Sequence, residues 1–228
     1  MPEDLSQLNG MDLFRSMSPA DLKSISPKVT LKKVKRGSVI LHEEDTNEFM
    51  YVVVEGEVKV HRSSEDGKET ILALHSEGQS FGEISIIDGK TAPATVTATE
   101  ETVVALISRA DFFEIISTHE KFRANLLNLL CSRLRDSWDI AQMLTLKNAE
   151  ERVRSLFHLL AVEKGARDAE GITIRARLTH QGIADMTGLT RESVTRVFDK
   201  WKRAGLVEPV KHKQIRLIPD FFERDFSL

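Results

Sequence analysis

Residues 178–207, LTHQGIADMTGLTRESVTRVFDKWKRAGLV, constrain the fold more than any other stretch, because their capping residues and apolar spacing together specify two short helices joined by a tight turn. Thr179 precedes the first helix and can accept hydrogen bonds from its free amide protons. Ile183, Ala184 and Met186 form the inward face, with Ala184 small where the helices approach. Gly188 stands at the turn, where a positive φ suits a residue without Cβ. Thr190 caps a second helix in which Val194, Val197 and Trp201 recur at three- and four-residue steps. The opposite face of its first turns carries Arg191, Glu192, Thr195 and Arg196. Arg can donate two parallel hydrogen bonds to guanine, and Glu can accept from cytosine. Recognition helices read bases with their N-terminal residues, which is where these four lie.

A plain helical hairpin with solvated charges would share this pattern, and the next residues separate the two readings. Leu206-Val207-Glu208-Pro209, then Lys211-His212-Lys213, then Ile215-Arg216-Leu217-Ile218 read as strand, basic turn, strand. That is the wing of a winged helix-turn-helix, with Lys211 and Lys213 placed to touch phosphates. Double-stranded DNA is the expected partner.

Bulk charge permits this without demanding it. The 228-residue chain carries a net charge of −3, too little positive charge for indiscriminate binding of nucleic acid. Residues 148–228, however, hold 15 Lys and Arg against 12 Asp and Glu, so the basic half is the half with the motif. A single cysteine excludes a disulfide framework within one chain and fits a reducing compartment. The N-terminus lacks a signal-peptide pattern and no apolar run is long enough to span a bilayer, so a cytoplasmic protein is expected, with no membrane partner.

Between Val29 and Ser108 the texture changes to short β-rich runs: Val39–Leu41, Phe49–Val54, Glu57–His61, Thr70–Leu74, Ala94–Ala98 and Val103–Ile107. Glycines at 37, 56, 67, 78, 82 and 89 punctuate them, and Asp66-Gly67 is a hairpin turn. Many short strands without intervening helices predict a small sandwich or barrel. Before it, Leu13, Phe14, Met17, Leu22 and Ile25 follow helical spacing, with Ser18-Pro19 opening a turn.

Glu120 to about Leu146 contains neither Gly nor Pro and predicts one helix approaching roughly 40 Å in length. Leu127, Leu130, Leu134, Ser137, Ala141 and Leu144 fall at alternating three- and four-residue steps, a seam of coiled-coil type. Leu126, Leu129, Trp138 and Ile140 widen the apolar surface beyond one seam. One face suits the chain's own barrel, and a second predicts a homodimer through Leu127, Leu130, Leu134, Ala141 and Leu144. Cys131 beside the seam reads as a small buried residue rather than a redox thiol.

The order of barrel, long helix and winged helix-turn-helix resembles the cyclic-AMP receptor/FNR (Crp/Fnr) superfamily of bacterial transcription regulators. The carriers are Tyr51-Val52-Val53-Val54-Glu55-Gly56-Glu57-Val58, Phe81-Gly82-Glu83-Ile84 with Asp88-Gly89 after it, and Leu189-Thr190-Arg191-Glu192-Ser193-Val194-Thr195-Arg196. The resemblance implies an α+β fold with three parts. Residues 1–118 form an effector-sensing β-roll with N-terminal helices, 119–147 the dimerisation helix and hinge, and 148–228 the DNA-binding domain. It also implies a dimer whose effector state reorients the DNA-binding domains about the turn at Leu146–Ala149, palindromic operators, and RNA polymerase as a partner. The following helix, Glu150–Glu163, would bury Val153, Leu156, Phe157 and Leu160.

The effector pocket implied by the resemblance comprises Gly82, Glu83, Ile84, Lys90, Ala92, Pro93, Ser137 and Trp138. Cyclic-nucleotide-binding members use a Glu for the ribose hydroxyl and an Arg-Ser pair for the cyclic phosphate. Here Glu83 is present, but Ala92 and Pro93 occupy the Arg and Ser positions. Losing a buried hydrogen-bonded charge partner costs roughly 2 to 5 kcal/mol, and Pro93 has no backbone N–H to donate. Lys90 offers a flexible ammonium instead of a planar fork. Control by cyclic AMP is therefore not expected. Ser137 and Trp138 keep an atypical nucleotide cassette open as an alternative. An iron–sulfur cluster is excluded by the cysteine count. Haem stays open as a cofactor on His42, His61, His75 and Met50, although no pairing is legible. No metal site and no catalytic constellation is legible, so an enzyme is not expected.

Overall fold

The structure, a computed structural model, describes residues 10–176, 178–210 and 214–222. It divides into two compact units, Met1–Arg133 and Leu134–Leu228, with the division inside the longest helix.

In the first unit a 3-10 turn, Asp12–Phe14, leads to helix α1, Pro19–Ile25. Ser18 caps α1 by accepting the Asp21 N–H at 3.1 Å. Eight strands follow: β1 Val29–Val34, β2 Val39–Leu41, β3 Phe49–Glu55, β4 Glu57–Ser63, β5 Glu69–Ser76, β6 Ser80–Phe81, β7 Thr95–Ala98 and β8 Thr102–Ser108. They form two antiparallel four-stranded sheets, ordered β1-β8-β3-β6 and β2-β7-β4-β5.

Strand β3 shows why its apolar run is unbroken. Side chains alternate across a sheet, so Met50, Val52 and Val54 join Leu13, Phe14, Ile25, Phe112 and Phe122 in one cluster. Tyr51 and Val53 join Val58, Phe81, Ala92, Val96 and Val104 in the other. Both faces are covered, and a strand buried on both faces has no polar alternation to show. Gly56, at φ +89°, links β3 to β4; a Cβ there would lie 2.6 Å from the Glu101 carbonyl oxygen.

Contrary to expectation, the strands are interrupted by a helix, α2, Glu83–Asp88, enclosed between Gly82 and Gly89, both left-handed. A further helix, α3, Arg109–Thr118, is capped by Ser108. It packs Phe112 against Phe122 of the long helix α4, Glu120–Thr145, and Phe122 in turn meets Phe14. All three rings are fully buried, each contributing about 1.5 to 3 kcal/mol of apolar burial.

The second unit continues from α4 into α5, Ala149–Lys164, capped by Asn148. Strands β9 Gly165–Asp168 and β10 Gly171–Ile174 form a hairpin, followed by α6 His180–Thr187, α7 Arg191–Arg203, β11 Val207–Pro209 and β12 Ile215–Leu217. The wing is larger than two strands, because β10 pairs with β12 and completes a sheet ordered β11-β12-β10-β9. Val153, Leu156, Phe157, Leu160, Ile183, Ala184, Val194, Val197, Phe198 and Trp201 are buried. Met186 is only half-buried. Thr187 takes its place in the core, its hydroxyl donating to the Ile183 carbonyl at 2.6 Å. No described helix is long and apolar enough to cross a membrane.

Candidate functional site

Helices α6 and α7 are each set by a threonine cap and a left-handed glycine between them. Thr179 accepts from Gly182 N–H at 2.9 Å and Thr190 from Ser193 N–H at 3.2 Å. Both hydroxyls are thus engaged by their own helices. Gly188 closes α6 at φ +65°. Val194, Val197, Phe198 and Trp201 bury one side of α7, while Arg191, Glu192 and Arg196 face solvent on the other. The Glu192 carboxyl is held below the usual carboxylate range by hydrogen bonds from its own backbone N–H and the Thr190 hydroxyl, with Arg191 and Arg196 adding to the effect. It is therefore an anionic acceptor on the exposed face of the helix. Thr195 is half-buried and makes two internal hydrogen bonds, to the Arg191 carbonyl and to His180, each at 2.9 Å. Lys211 and Lys213 lie outside the described residues.

Side chains that the sequence did not single out fix α7 in place. Glu150 at the start of α5 accepts from Trp201 Nε1 at 2.9 Å and pairs with Lys200 and Arg154. Arg154 in turn lies over the Trp201 and Phe221 rings at 5.3 and 4.8 Å. Arg152, also on α5, donates to the carbonyls of Leu146 and Thr187. It thereby bridges the Leu146–Ala149 turn to the end of α6.

In the roll, Glu83 is 1% exposed and its Oε1 accepts from Arg133 on α4, whose guanidinium also binds the Ser80 carbonyl. Gly82 bonds through its carbonyl to Asn47, which also reaches Ser85. Glu83 Oε2 and Ser80 Oγ are buried without a hydrogen-bond partner. Ala92 is buried in the apolar cluster, and its N–H and carbonyl pair with Asp45 and Glu44. Ile84, Lys90 and Pro93, in contrast, are exposed. Lys90 has its ammonium 3.9 Å from Asp88 and a side chain 82% exposed, so it does not stand in for a buried Arg. Ser137 and Trp138 are exposed on α4. Arg133 lies fifty residues from its carboxylate partner, and no local pattern in the sequence joins the two.

Of the haem candidates, His75 stacks on Phe81 with ring centroids 6.4 Å apart. Met50 is fully buried in the apolar cluster, and His42 is exposed. His61 Nε2 pairs with Thr97 at 3.0 Å, and Nδ1 lies 3.2 Å from Glu69. Burial holds His61 below the usual imidazole range against the opposing pull of Glu69. Among the described residues no group of three or more His, Cys, Asp or Glu could hold a metal. Cys131 is exposed on α4 in the single chain.

Along α4, Phe122 and Leu126 are buried against the roll, with Leu129 and Leu130 partly so. Leu127, Leu134, Trp138 and Leu144 are exposed at 58%, 52%, 62% and 45%, and Ala141 is exposed with them. The seam is therefore an uncovered apolar stripe, with Leu130 at its edge.

Residues 31–119 match the family described as cyclic nucleotide-binding domain, and residues 151–221 match the Crp-like helix-turn-helix domain. The chain is 27% identical to the cyclic AMP receptor protein of Thermus thermophilus, covering 88% of this chain and 89% of that protein. It is 28% identical to the global nitrogen regulator of Synechococcus elongatus, covering 95% and 96%. Among solved structures it shares the fold of FixK2 from Bradyrhizobium japonicum, with a TM-score of 0.72 and 24% identity over 83% of this chain and 92% of that one. A roll, a long helix and a capped helix-turn-helix, matched over these spans, make the chain a transcription regulator of the Crp/Fnr superfamily with a helix-turn-helix DNA-binding domain.

Proposed function

We propose that this regulator acts as a homodimer that reads palindromic operators through α7 and is controlled by an effector of the roll other than cyclic AMP. The observation that carries the DNA-reading part is the split character of α7. Its inner face is buried around Trp201, while Arg191, Glu192 and Arg196 are exposed in its first turns. Such an arrangement lets a helix present its N-terminal residues to the major groove while its other face stays in the core. Half-sites carrying guanines for Arg191 and Arg196 and a cytosine for Glu192 follow from donor and acceptor chemistry. The nearest form is a TGTGA-like half-site repeated about one helical turn, roughly 34 Å, away.

The dimer rests on the uncovered stripe of Leu127, Leu134, Ala141 and Leu144. An apolar stripe of this length on a helix is stabilised by a second copy of itself, and a two-fold protein suits a two-fold operator. The effector reading rests on Glu83 and Ala92. The carboxylate that would take a ribose hydroxyl is already paired with Arg133, and the position that would carry a phosphate-binding guanidinium is a buried alanine. RNA polymerase is the partner through which such a regulator acts on transcription.

Selection from a random duplex library tests the reading. A palindrome with G·C pairs in each half-site is expected; enrichment of a non-palindromic site would overturn it.

A further inference from the structure

The Thr195 hydroxyl sits between two partners at 2.9 Å, the Arg191 carbonyl and Nδ1 of His180 on α6. A hydroxyl has one proton, and a carbonyl can only accept. The proton therefore goes to Arg191, and His180 Nδ1 must be the donor in the second bond. A back-bond to the carbonyl four residues earlier is by itself weak, and threonine exchanges readily between two helical rotamers. The second bond, from a ring on another helix, removes that freedom. The ring is fixed in turn by Phe198, with centroids 4.9 Å apart and planes at 31°. Burial keeps the imidazole below its usual range, and Lys202 and Arg191 push it the same way against Asp199. With both bonds made, the hydroxyl is engaged within the protein, and the γ-methyl is the group this half-buried side chain keeps without a polar partner.

We propose that His180 is a specificity-determining positioning residue: by donating from Nδ1 to Thr195 it turns the recognition helix into a reader of a thymine 5-methyl group at that position. The chemistry matches, because the thymine methyl is the one apolar feature of the major groove edge. It rests on the reading that α7 enters the major groove. A threonine free to rotate would instead present a hydroxyl able to donate or accept, and would tolerate several bases. Nothing in the spacing of the sequence marks His180. The crossing of the two helices brings it beside a residue fifteen positions later.

The test uses the full chain and an operator chosen by library selection, with each half-site thymine replaced in turn by uracil, which lacks only the methyl. Wild-type protein is expected to bind the thymine operator about fourfold more tightly per half-site at one position, the effect of burying one methyl-sized group. Thr195→Val keeps the methyl and should keep that ratio, whatever its absolute affinity, whereas Thr195→Ser should bring it to about one. His180→Ala should also bring it to about one, and His180→Asn, which retains a donor near Nδ1, should restore it. Nitrogen NMR of the free protein should show His180 protonated at Nδ1. A ratio lost in Thr195→Val, a ratio kept in His180→Ala, or an Nε2-protonated neutral ring would overturn the proposal. If His180→Ala does not fold, the two Thr195 variants and the NMR signal decide. Absence of any operator preference in the wild type removes the DNA-reading premise, and a wild-type ratio of one at every thymine removes the methyl reading alone.

Discussion

Trp201 donates its indole N–H to the Glu150 carboxylate at 2.9 Å, tying the recognition helix α7 to the first turn of α5. Glu150→Ala should leave that buried donor without a partner and cost about 1 to 3 kcal/mol of domain stability. Urea unfolding followed by tryptophan fluorescence measures it, and an unchanged midpoint would show the bond to be incidental.

The same carboxylate sets a pH dependence. Burial pushes Glu150 up, but hydrogen bonds from Lys200 and Trp201 more than offset it, and the net shift is below the ordinary value of 4.5. A depressed folded pKa stabilises the fold above the unfolded value and ceases to do so as pH falls through the lower, folded one. Wild-type stability should therefore drop in the window below 4.5, and Glu150→Gln should show a shallower drop. Parallel acid titrations of the two proteins decide the matter.

Leu127→Asp with Leu134→Asp should give monomers by sedimentation and weaken operator binding by more than tenfold, since each charge would otherwise be buried unpaired in the dimer. Both leucines are exposed in the single chain, so the thermal stability of the monomer should change by less than about 0.5 kcal/mol. Leu126→Ala, on the buried face, should instead cost about 2 to 5 kcal/mol. A wild type that sediments as a monomer with full operator affinity contradicts the dimer.

Calorimetry with cyclic AMP should show no low-micromolar binding, and the nucleotide should leave operator affinity unchanged. Tight binding would mean that Arg133 releases Glu83 and takes the phosphate itself. Arg133→Leu would then be the variant that abolishes it.

Arg196→Ala should cost about 1 to 3 kcal/mol on the selected operator and flatten the preference at one G·C pair. A uniform loss across unrelated sequences would make Arg196 a phosphate contact.

The helix-turn-helix was legible because its signals are local. Thr179, Gly188 and Thr190 each act on residues within four positions, and the structure places all three where the sequence does. Helix α2 was not legible, since the six residues Glu83–Asp88 are too few to show a period, and the glycines flanking them look like ordinary strand turns. The β9–β10 hairpin was missed for a different reason. Gly165–Asp168 is polar and is held by register with β10 instead of by apolar alternation. The exposure of Arg191, Glu192 and Arg196 could be read from helical phase alone. The pairs Glu83–Arg133 and His180–Thr195 could not, because each joins side chains from separate elements whose meeting depends on the packed fold.

Arg152 gives the Leu146–Ala149 turn a mechanical property that a bare loop would lack. One guanidinium grips the Leu146 carbonyl, one residue past the long helix, and the Thr187 carbonyl, at the end of α6. Twisting the last turn of α4 against α6 strains bonds to the same planar group from two sides, and charge-assisted bonds of that kind are stiff in direction as well as strong. The turn is thus cross-braced: Arg152 ties the residue just past α4 to the last residue of α6, three positions before the threonine that caps α7.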